Sequence, residues 1–173
     1  MRTTITQHHI EIGAVAPIQQ TARRLPLAKW EEAEAKIHQM AVAGIIQPSD
    51  IPWVSPAMLV RKKEGFLRFC VDYRLLNNVT RKDLYPLPHI DDALDSVSGS
   101  TWFSALDLRS GYWYVPLSPS ARPKTAFTLG RRLWEFNVMP FGLCSSPATF
   151  KRLMEKILQP VPASACVVYL DDI

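Results

Sequence analysis

The sequence predicts an α+β fold in which helices pack against an antiparallel sheet. Three observations favour this class: two pairs of β-type runs joined by short glycine-containing turns, helical apolar stripes outside those pairs, and no regular strand–helix–strand alternation. The chain has 173 residues, 47% of them apolar, so it can bury a sizeable core. With this apolar content, the chain as a whole is not expected to be disordered.

The first elements are an extended segment and a helix. Residues 1–25 show no sustained periodicity and are predicted to form an extended lead-in or linker. A helix is predicted to begin near Pro26, because acidic residues occupy its first turns, and to end at Gly44, which can supply a left-handed C-cap. Its predicted apolar face comprises Leu27, Trp30, Ile37, Met40 and Ala41.

Two hairpins are predicted from β-type runs. The first joins residues 57–62 to 66–71, and its alternation places Arg68 on the same face as Phe66 and Cys70. The second hairpin joins residues 124–129 to 133–138. Both turns contain a glycine, which favours a tight reversal of the chain.

Two further helices are predicted in the second half of the chain. A short one is indicated by the spacing of Ile90, Leu94 and Val97 and is closed by Gly99. A longer one is predicted to begin at Ser146, with the hydroxyl as N-cap and Pro147 at the first helical position. Its predicted buried stripe comprises Phe150, Leu153, Met154, Ile157 and Leu158.

Two β-type runs lead into aspartates. Residues 102–107 end in Asp107, and residues 165–169 lead to the adjacent pair Asp171 and Asp172. Adjacent carboxylates raise each other's pKa unless a cation lies between them, so the pair indicates a divalent-metal site with oxygen ligands. With Asp107 it would form a two-metal site for phosphoryl or nucleotidyl transfer. Taken alone, an Asp-Asp pair is also common in hairpin turns.

Charge, cysteine content and hydropathy indicate which partners and which cellular compartment to expect. The net charge of +4 is only a weak sign of a nucleic-acid partner, although basic residues concentrate in the first hairpin. The three cysteines lack metal-ligand spacing, so we expect no disulfide framework or zinc site and a reducing compartment. No apolar run is long enough to cross a bilayer, and we therefore expect no membrane partner and an intracellular location, cytoplasmic or nuclear.

Eight segments, in the same order, resemble the N-terminal half of retroviral-type reverse transcriptases. The resemblance is greatest to those of gypsy-type long-terminal-repeat retrotransposons and covers the chain from about residue 9. The matching segments are GIIQPS at 44–49, WVSP at 53–56, CVDYRLLN at 70–77, YPLP at 85–88, FSALDL at 103–108, KTAF at 124–127, MPFGL at 139–143 and YLDD at 169–172.

The resemblance implies a subdivided polymerase core. Fingers would comprise residues 26–84 and 115–144, and a partial palm would comprise residues 85–114 and 145–173. It implies that Asp107, Asp171 and Asp172 are catalytic and, with Leu108, form a site for two Mg²⁺ ions, for which Mn²⁺ could substitute. The implied substrates are deoxynucleoside triphosphates and a primer on an RNA or DNA template. Virus-like particles are an implied location.

The resemblance also implies a nucleotide-binding set. Lys62 and Arg68 would reach the triphosphate, although a basic hairpin can also be a solvated edge that guards against aggregation. Tyr112 would exclude the ribonucleotide 2′-hydroxyl, although aromatic residues more often pack in cores. Phe141 and Gly142 would contact the sugar and templating base, or form a plain tight turn.

Backbone and template contacts complete the implied site. Arg109, Ser110 and Gly111, together with Leu108, would offer backbone N–H groups to phosphate oxygens. Primer and template would be contacted by Tyr169, Leu170 and Arg74.

Two departures from the family pattern qualify these expectations. Tyr114 stands where the family usually has Gln, and the chain ends at Ile173 without a thumb or RNase H region. We therefore expect the 173-residue chain to be a fragment of a longer polyprotein and to be inactive alone. Two alternatives stay open: a co-opted element that binds nucleic acid without catalysis, and a structural remnant.

Overall fold

The computed structural model describes residues 2–61, 67–86, 91, 95, 98–106, 108, 110–129, 132–162 and 165–168. Within these ranges one five-stranded sheet has the strand order β1-β5-β4-β2-β3. Its strands are Ile46–Pro48 (β1), Ser55–Arg61 (β2), Leu67–Val71 (β3), Phe127–Leu129 (β4) and Arg132–Phe136 (β5). The longer helical elements are Trp30–Val42 (α1), Arg74–Val79 (α2) and Ser146–Leu158 (α3).

Both predicted hairpin pairings are confirmed, and the α+β class with them. Strands β2 and β3 pair antiparallel with Leu59 opposite Phe69, and β4 and β5 pair antiparallel with Thr128 opposite Leu133. The sheet is nevertheless not wholly antiparallel, because β2 and β4 run parallel, with Ser55 opposite Phe127. Strand β3 returns the chain to the end of the sheet where β2 begins, and β4 then starts at that same end on the other side of β2.

The predicted first helix is confirmed, including its end. A 3₁₀ turn at Leu27–Lys29 leads into α1, on which Ile37 and Met40 are buried. Gly44 has φ +69°, and its N–H donates to the carbonyl of Ala41 at 2.9 Å. Trp30 and Ala41 are only partly buried, and the Leu27 side chain lies outside the described part of the structure.

The core is centred on aromatic residues of the sheet. Phe127 of β4 is fully buried, and its ring centroid lies 5.3 Å from that of Phe69 and 5.2 Å from that of Phe136. Tyr73 is buried beside α2, and its hydroxyl donates to the carbonyl of Thr125 at 2.8 Å. Burial of these large apolar surfaces drives folding, and the buried hydroxyl avoids a desolvation penalty through its hydrogen bond.

The N-terminal segment is extended and packs on the rest of the protein. The His8 N–H donates to the carbonyl of Pro116 at 2.9 Å, and the Gln20 N–H donates to that of Val54 at 2.9 Å. Ile10 is buried in the core, and the Lys124 ammonium donates to its carbonyl at 2.8 Å. The segment is therefore an integral part of the fold, and a free linker would make none of these contacts.

Two element boundaries differ from prediction. Residues 122–125 form a 3₁₀ helix instead of extending β4, because Pro123 restricts φ and the Thr125 hydroxyl donates to the Arg122 carbonyl at 2.7 Å. Ser145, without a side-chain hydrogen bond to the helix, is the N-cap of α3, and the Ser146 hydroxyl donates to the Pro140 carbonyl at 3.4 Å.

The buried stripe of α3 is shorter than predicted. Phe150, Leu153 and Met154 are buried as expected, Leu158 is only partly buried, and Ile157 is 46% exposed. The last turn of α3 therefore contributes less to the core than the first turns of this helix.

The strands predicted at 102–107 and 165–169 are not found in their described parts, 102–106 and 165–168. Trp102 is 91% exposed and Phe103 is 68% exposed. A β-type run becomes a strand only when a neighbour accepts its backbone hydrogen bonds, and neither segment pairs with a described strand.

The predicted short helix before Gly99 falls largely outside the described ranges, which exclude Ile90, Leu94 and Val97. Asp91 and Asp95 are helical, and Gly99 has φ +86° at the predicted closing position.

Across the described ranges, no helix has both the length and the apolar character needed to cross a bilayer.

Candidate functional site

The structure describes part of the predicted site. Asp107, Asp171 and Asp172 lie outside the described residues, as do Lys62, Arg109, Tyr169 and Leu170, and Arg68 is described only as a backbone position opposite Val60. The described members are Leu108, Ser110, Gly111, Tyr112, Phe141, Gly142 and Arg74. Among the described residues, no group of three or more His, Cys, Asp or Glu side chains could hold a metal ion.

The turn that follows position 107 is tightly wound. Ser110 adopts φ 55° and ψ 42°, a left-handed conformation that is uncommon for a residue with a Cβ. The Gly111 N–H donates to the Leu108 carbonyl at 2.9 Å, so this N–H group is engaged within the turn. Left-handed residues other than glycine cluster at functional sites, where surrounding contacts hold them.

Gly111 allows helix α3 to approach this turn closely. A Cβ atom built on Gly111 would lie 2.8 Å from Cζ and 3.1 Å from Cε2 of Phe150, and 3.3 Å from Cβ of Leu108. Phe150 is fully buried and cannot easily move aside. The glycine is therefore required by close packing, a reason that the sequence alone did not reveal.

Tyr112 and Phe141 are brought together although they are distant in sequence. Their ring centroids lie 5.0 Å apart with an interplanar angle of 27°, and Tyr112 also lies 5.2 Å from Phe150. Tyr112 is 9% exposed. The residue predicted to exclude the 2′-hydroxyl, Tyr112, therefore contacts the residue predicted to contact the sugar, Phe141. The role of Tyr112 in sugar selection stays a prediction.

The turn that carries Phe141 is held by a residue that the prediction missed. Gly142 has φ +97°, and its carbonyl accepts a hydrogen bond from Nδ2 of Asn77 at 2.8 Å. Oδ1 of Asn77 accepts a hydrogen bond from the Cys144 N–H at 2.9 Å. Asn77 stands within the CVDYRLLN segment, but nothing local in that segment indicates contacts more than 60 positions away.

Arg74 belongs to a small charged cluster. Its Nε and Nη2 donate to the two carboxylate oxygens of Asp72 at 2.9 and 2.7 Å, and Nη2 of Arg23 lies 3.0 Å from Oδ2 of the same carboxylate. The hydrogen bonds from Arg74 are the main cause that lowers the pKa of Asp72 to about 2. Two guanidinium groups share one carboxylate, so the cluster carries one net positive charge.

This cluster borders an open cleft of about 570 Å³. The cleft is lined by Gln20, Asp72, Arg74, Leu75, Asn77 and Asn78. Arg74 is 79% exposed, so its charge faces solvent. A solvated cation beside a cleft of this size can contact a phosphate group without burying an unpaired charge.

A second ion pair ties α3 to the segment before residue 87. The guanidinium of Arg152 donates to both oxygens of Asp83 at 2.5 and 2.6 Å, and this bond is the main cause that lowers the pKa of Asp83. The same guanidinium lies 4.4 Å from the ring centroid of Tyr85. These contacts position α3, whose buried face supports Gly111 and Tyr112.

A buried histidine connects the N-terminal segment to the same helix. Nδ1 of His8 lies 2.8 Å from Oγ1 of Thr149 on α3. Burial is the main cause that lowers the pKa of His8 to about 4, so the ring is neutral at pH 7. Sequence analysis missed His8, since a lone histidine in an irregular segment carries no distinctive signal.

Comparison with known proteins identifies the family. Residues 60–173 match the model of the reverse transcriptase (RNA-dependent DNA polymerase) family, so the chain belongs to this family. This confirms the resemblance to reverse transcriptases noted in the sequence, at the level of the family.

Curated relatives agree with this assignment. The chain is 37% identical over 98% of its length to a retrovirus-related Pol polyprotein from transposon opus of Drosophila melanogaster, and covers 17% of it. It is 39% identical over 86% of its length to the transposon Tf2-3 polyprotein of Schizosaccharomyces pombe. A shorter relative is an RNA-directed DNA polymerase homolog of Oenothera berteroana. It is 48% identical over 62% of this chain, and the match covers 75% of the relative's own length.

Solved structures share the fold. The protease-reverse transcriptase of prototype foamy virus superposes with a TM-score of 0.88 at 25% identity, covering 99% of this chain and 23% of the viral one. A foamy viral protease-reverse transcriptase in complex with an RNA/DNA hybrid gives a TM-score of 0.87 at 24% identity and covers the same shares. The chain thus spans 17% of the transposon opus polyprotein and 23% of these two viral proteins.

Proposed function

We propose that this chain supplies the nucleotide-binding surface and the catalytic carboxylates of an RNA-directed DNA polymerase. The proposed reaction adds deoxynucleotides to a primer 3′-hydroxyl on an RNA or DNA template. The observation that carries the proposal is the contact of Tyr112 with Phe141 beside the left-handed turn at Ser110, within the span that matches the family model. We further propose a gypsy-type retrotransposon origin and an intracellular location.

Asp107, Asp171 and Asp172 are the proposed holders of two Mg²⁺ ions, with Leu108 beside them. Carboxylate oxygens are the hard ligands that Mg²⁺ prefers, so the donor set fits this metal, and Mn²⁺ could replace it. When bound, the metal would acidify the primer hydroxyl and neutralise triphosphate charge.

The remaining residues are proposed to bind and orient the substrates. The ring of Tyr112, supported by Phe141 and Phe150, would leave no room for a 2′-hydroxyl. The cationic side chains of Lys62 and Arg68 would bind the triphosphate, because charge-assisted hydrogen bonds to phosphate are strong, and Arg109 would offer its backbone N–H to a phosphate oxygen.

A nucleic-acid partner is proposed from two observations. The exposed guanidinium of Arg74 borders the 570 Å³ cleft, where it could contact a template phosphate. Related foamy viral proteins have been solved with an RNA/DNA hybrid and with double-stranded DNA. Tyr169 and Leu170 would contact the primer.

Primer extension on an RNA template tests the proposal. The natural open reading frame that carries this chain would be assayed with Mg²⁺ and all four deoxynucleotides, beside the variants Asp107→Asn and Asp50→Asn. We expect templated extension that is lost in Asp107→Asn and retained in Asp50→Asn, because Asp50 is an exposed residue of the first half of the chain. Nucleic-acid binding without any extension would contradict the proposal and favour a co-opted binding element.

A further inference from the structure

Asn77 connects helix α2 to the turn at 141–144 through both ends of its side-chain amide. Nδ2 donates to the Gly142 carbonyl at 2.8 Å, and Oδ1 accepts from the Cys144 N–H at 2.9 Å. Because the amide oxygen only accepts and the amide nitrogen only donates, the two bonds fix its orientation. The backbone N–H of Asn77 donates to the Tyr73 carbonyl at 2.7 Å, so the residue is anchored in the helix at the same time.

The turn held by Asn77 has an unusual backbone. Gly142 has φ +97°, a conformation that residues with a side chain rarely adopt. A Cβ there would lie 3.6 Å from the Val71 carbonyl oxygen, an ordinary contact, so backbone conformation and not space demands the glycine. Asn77 bonds the carbonyl of Gly142 and the N–H of Cys144 two residues later, and these two bonds stabilise the turn.

The same turn presents Phe141 to Tyr112. The two ring centroids lie 5.0 Å apart, and the centroid of Tyr112 also lies 5.2 Å from that of the buried Phe150. Phe141 also packs against the core and lies 6.3 Å from the ring centroid of Trp113, but its backbone belongs to the turn that Asn77 holds. The side chain of Asn77 therefore contributes to the placement of Phe141 against Tyr112.

We propose that Asn77 is a positioning residue for nucleotide selection, acting through the turn at 141–144. This inference rests on the proposed polymerase function, in which Tyr112 and Phe141 form one side of the sugar pocket. Loss of the amide would let Phe141 recede, which would weaken nucleotide binding and loosen the discrimination against ribonucleotides. The carboxylates that hold the metals lie on other segments, so the chemical step would be little affected.

The structural half of the inference is tested on the 173-residue chain by hydrogen exchange. In Asn77→Ala the Cys144 amide loses its acceptor, and we expect its exchange to accelerate by roughly tenfold or more. The matched control is Asn78→Ala, which changes an exposed neighbour on the same helix. Unchanged exchange at Cys144 in Asn77→Ala would overturn the inference whether or not the protein polymerises DNA.

The functional half uses Asn77→Asp in the natural reading frame, with Gln39→Glu, at an exposed position of α1 outside the cleft, as the control of equal charge change. Aspartate keeps the acceptor for Cys144 but lacks the donor for Gly142, so the fold is retained while the turn is loosened. We expect KM for deoxynucleotides to rise about tenfold, which corresponds to the loss of one hydrogen bond. We expect kcat to stay within about twofold of the wild-type value. The preference for deoxynucleotides over ribonucleotides should become smaller.

Two outcomes separate this inference from the proposed function. An active wild-type protein whose Asn77→Asp variant keeps its KM and its sugar preference would overturn the positioning role alone. A wild-type protein that folds but extends no primer would overturn the proposed function, and the positioning role with it.

Discussion

Replacing Gly111 by alanine tests the close approach of helix α3 to the turn after position 107. The added methyl group would lie 2.8 Å from Cζ of Phe150, well inside van der Waals contact, and 3.3 Å from Cβ of Leu108. Phe150 is fully buried and packs against Tyr112, so it cannot rotate into solvent. The strain must therefore be absorbed by the core.

Overpacking of this kind typically destabilises a protein by about 1 to 3 kcal/mol. Gly111 is in a 3₁₀ helix and has no positive φ, so the alanine backbone itself is tolerated and the effect is steric. For a chain of this size, 1 kcal/mol shifts Tm by about 2 to 4 °C. We therefore expect Gly111→Ala to lower Tm by about 2 to 12 °C.

Thermal unfolding followed by circular dichroism measures this shift. Gly13→Ala is the matched control, because no atom lies within 4 Å of its added Cβ and its Tm should stay equal or rise slightly. The double variant Gly111→Ala/Phe150→Leu should be more stable than the sum of its single variants predicts, since the smaller side chain makes room. Equal Tm values for Gly111→Ala and Gly13→Ala would refute the packing argument.

Two further predictions concern Tyr112 and His8. Tyr112→Val should raise ribonucleotide use relative to deoxynucleotide use while Tyr112→Phe should not, because only the first removes the ring; equal preference ratios in a primer-extension assay would return Tyr112 to a purely structural role. The pKa of His8 is about 4 when folded and 6.5 when unfolded, so below pH 6.5 the unfolded chain binds a proton that the folded chain does not. The contribution of His8 to the free energy of unfolding should therefore be greatest above pH 6.5. It should fall by about 3 kcal/mol between pH 6.5 and pH 4, at about 1.4 kcal/mol per pH unit. Urea unfolding across this range should show a smaller fall in His8→Gln than in His9→Gln, and equal falls would contradict the assignment.

Features with a local cause could be predicted from the sequence. The end of α1 at Gly44 followed from a helical stripe and a following glycine. The antiparallel pairing of β2 with β3 followed from alternation on either side of a glycine turn. Each of these signals lies within a dozen or so residues of the structure that it predicts.

Features with a distant cause could not be predicted. The need for glycine at 111 depends on Phe150, and the bridge from Asn77 depends on a turn more than 60 positions later. The exposed run at Trp102 has the composition of a strand, but a strand also needs a partner, and composition does not supply one. The parallel pairing of β2 with β4 likewise depends on how the segment between β3 and β4 places β4 on the other side of β2.

The most direct test of the proposed two-metal polymerase is the rate of single-turnover deoxynucleotide incorporation with Mg²⁺ on an RNA template. The natural reading frame would be compared with Asp171→Asn and Asp172→Asn at saturating nucleotide, so that the rate reports chemistry and not binding. We predict that each substitution lowers the rate by several orders of magnitude, at about 1.4 kcal/mol for each tenfold. Incorporation by both variants at the wild-type rate would contradict the assignment of this carboxylate pair to catalysis.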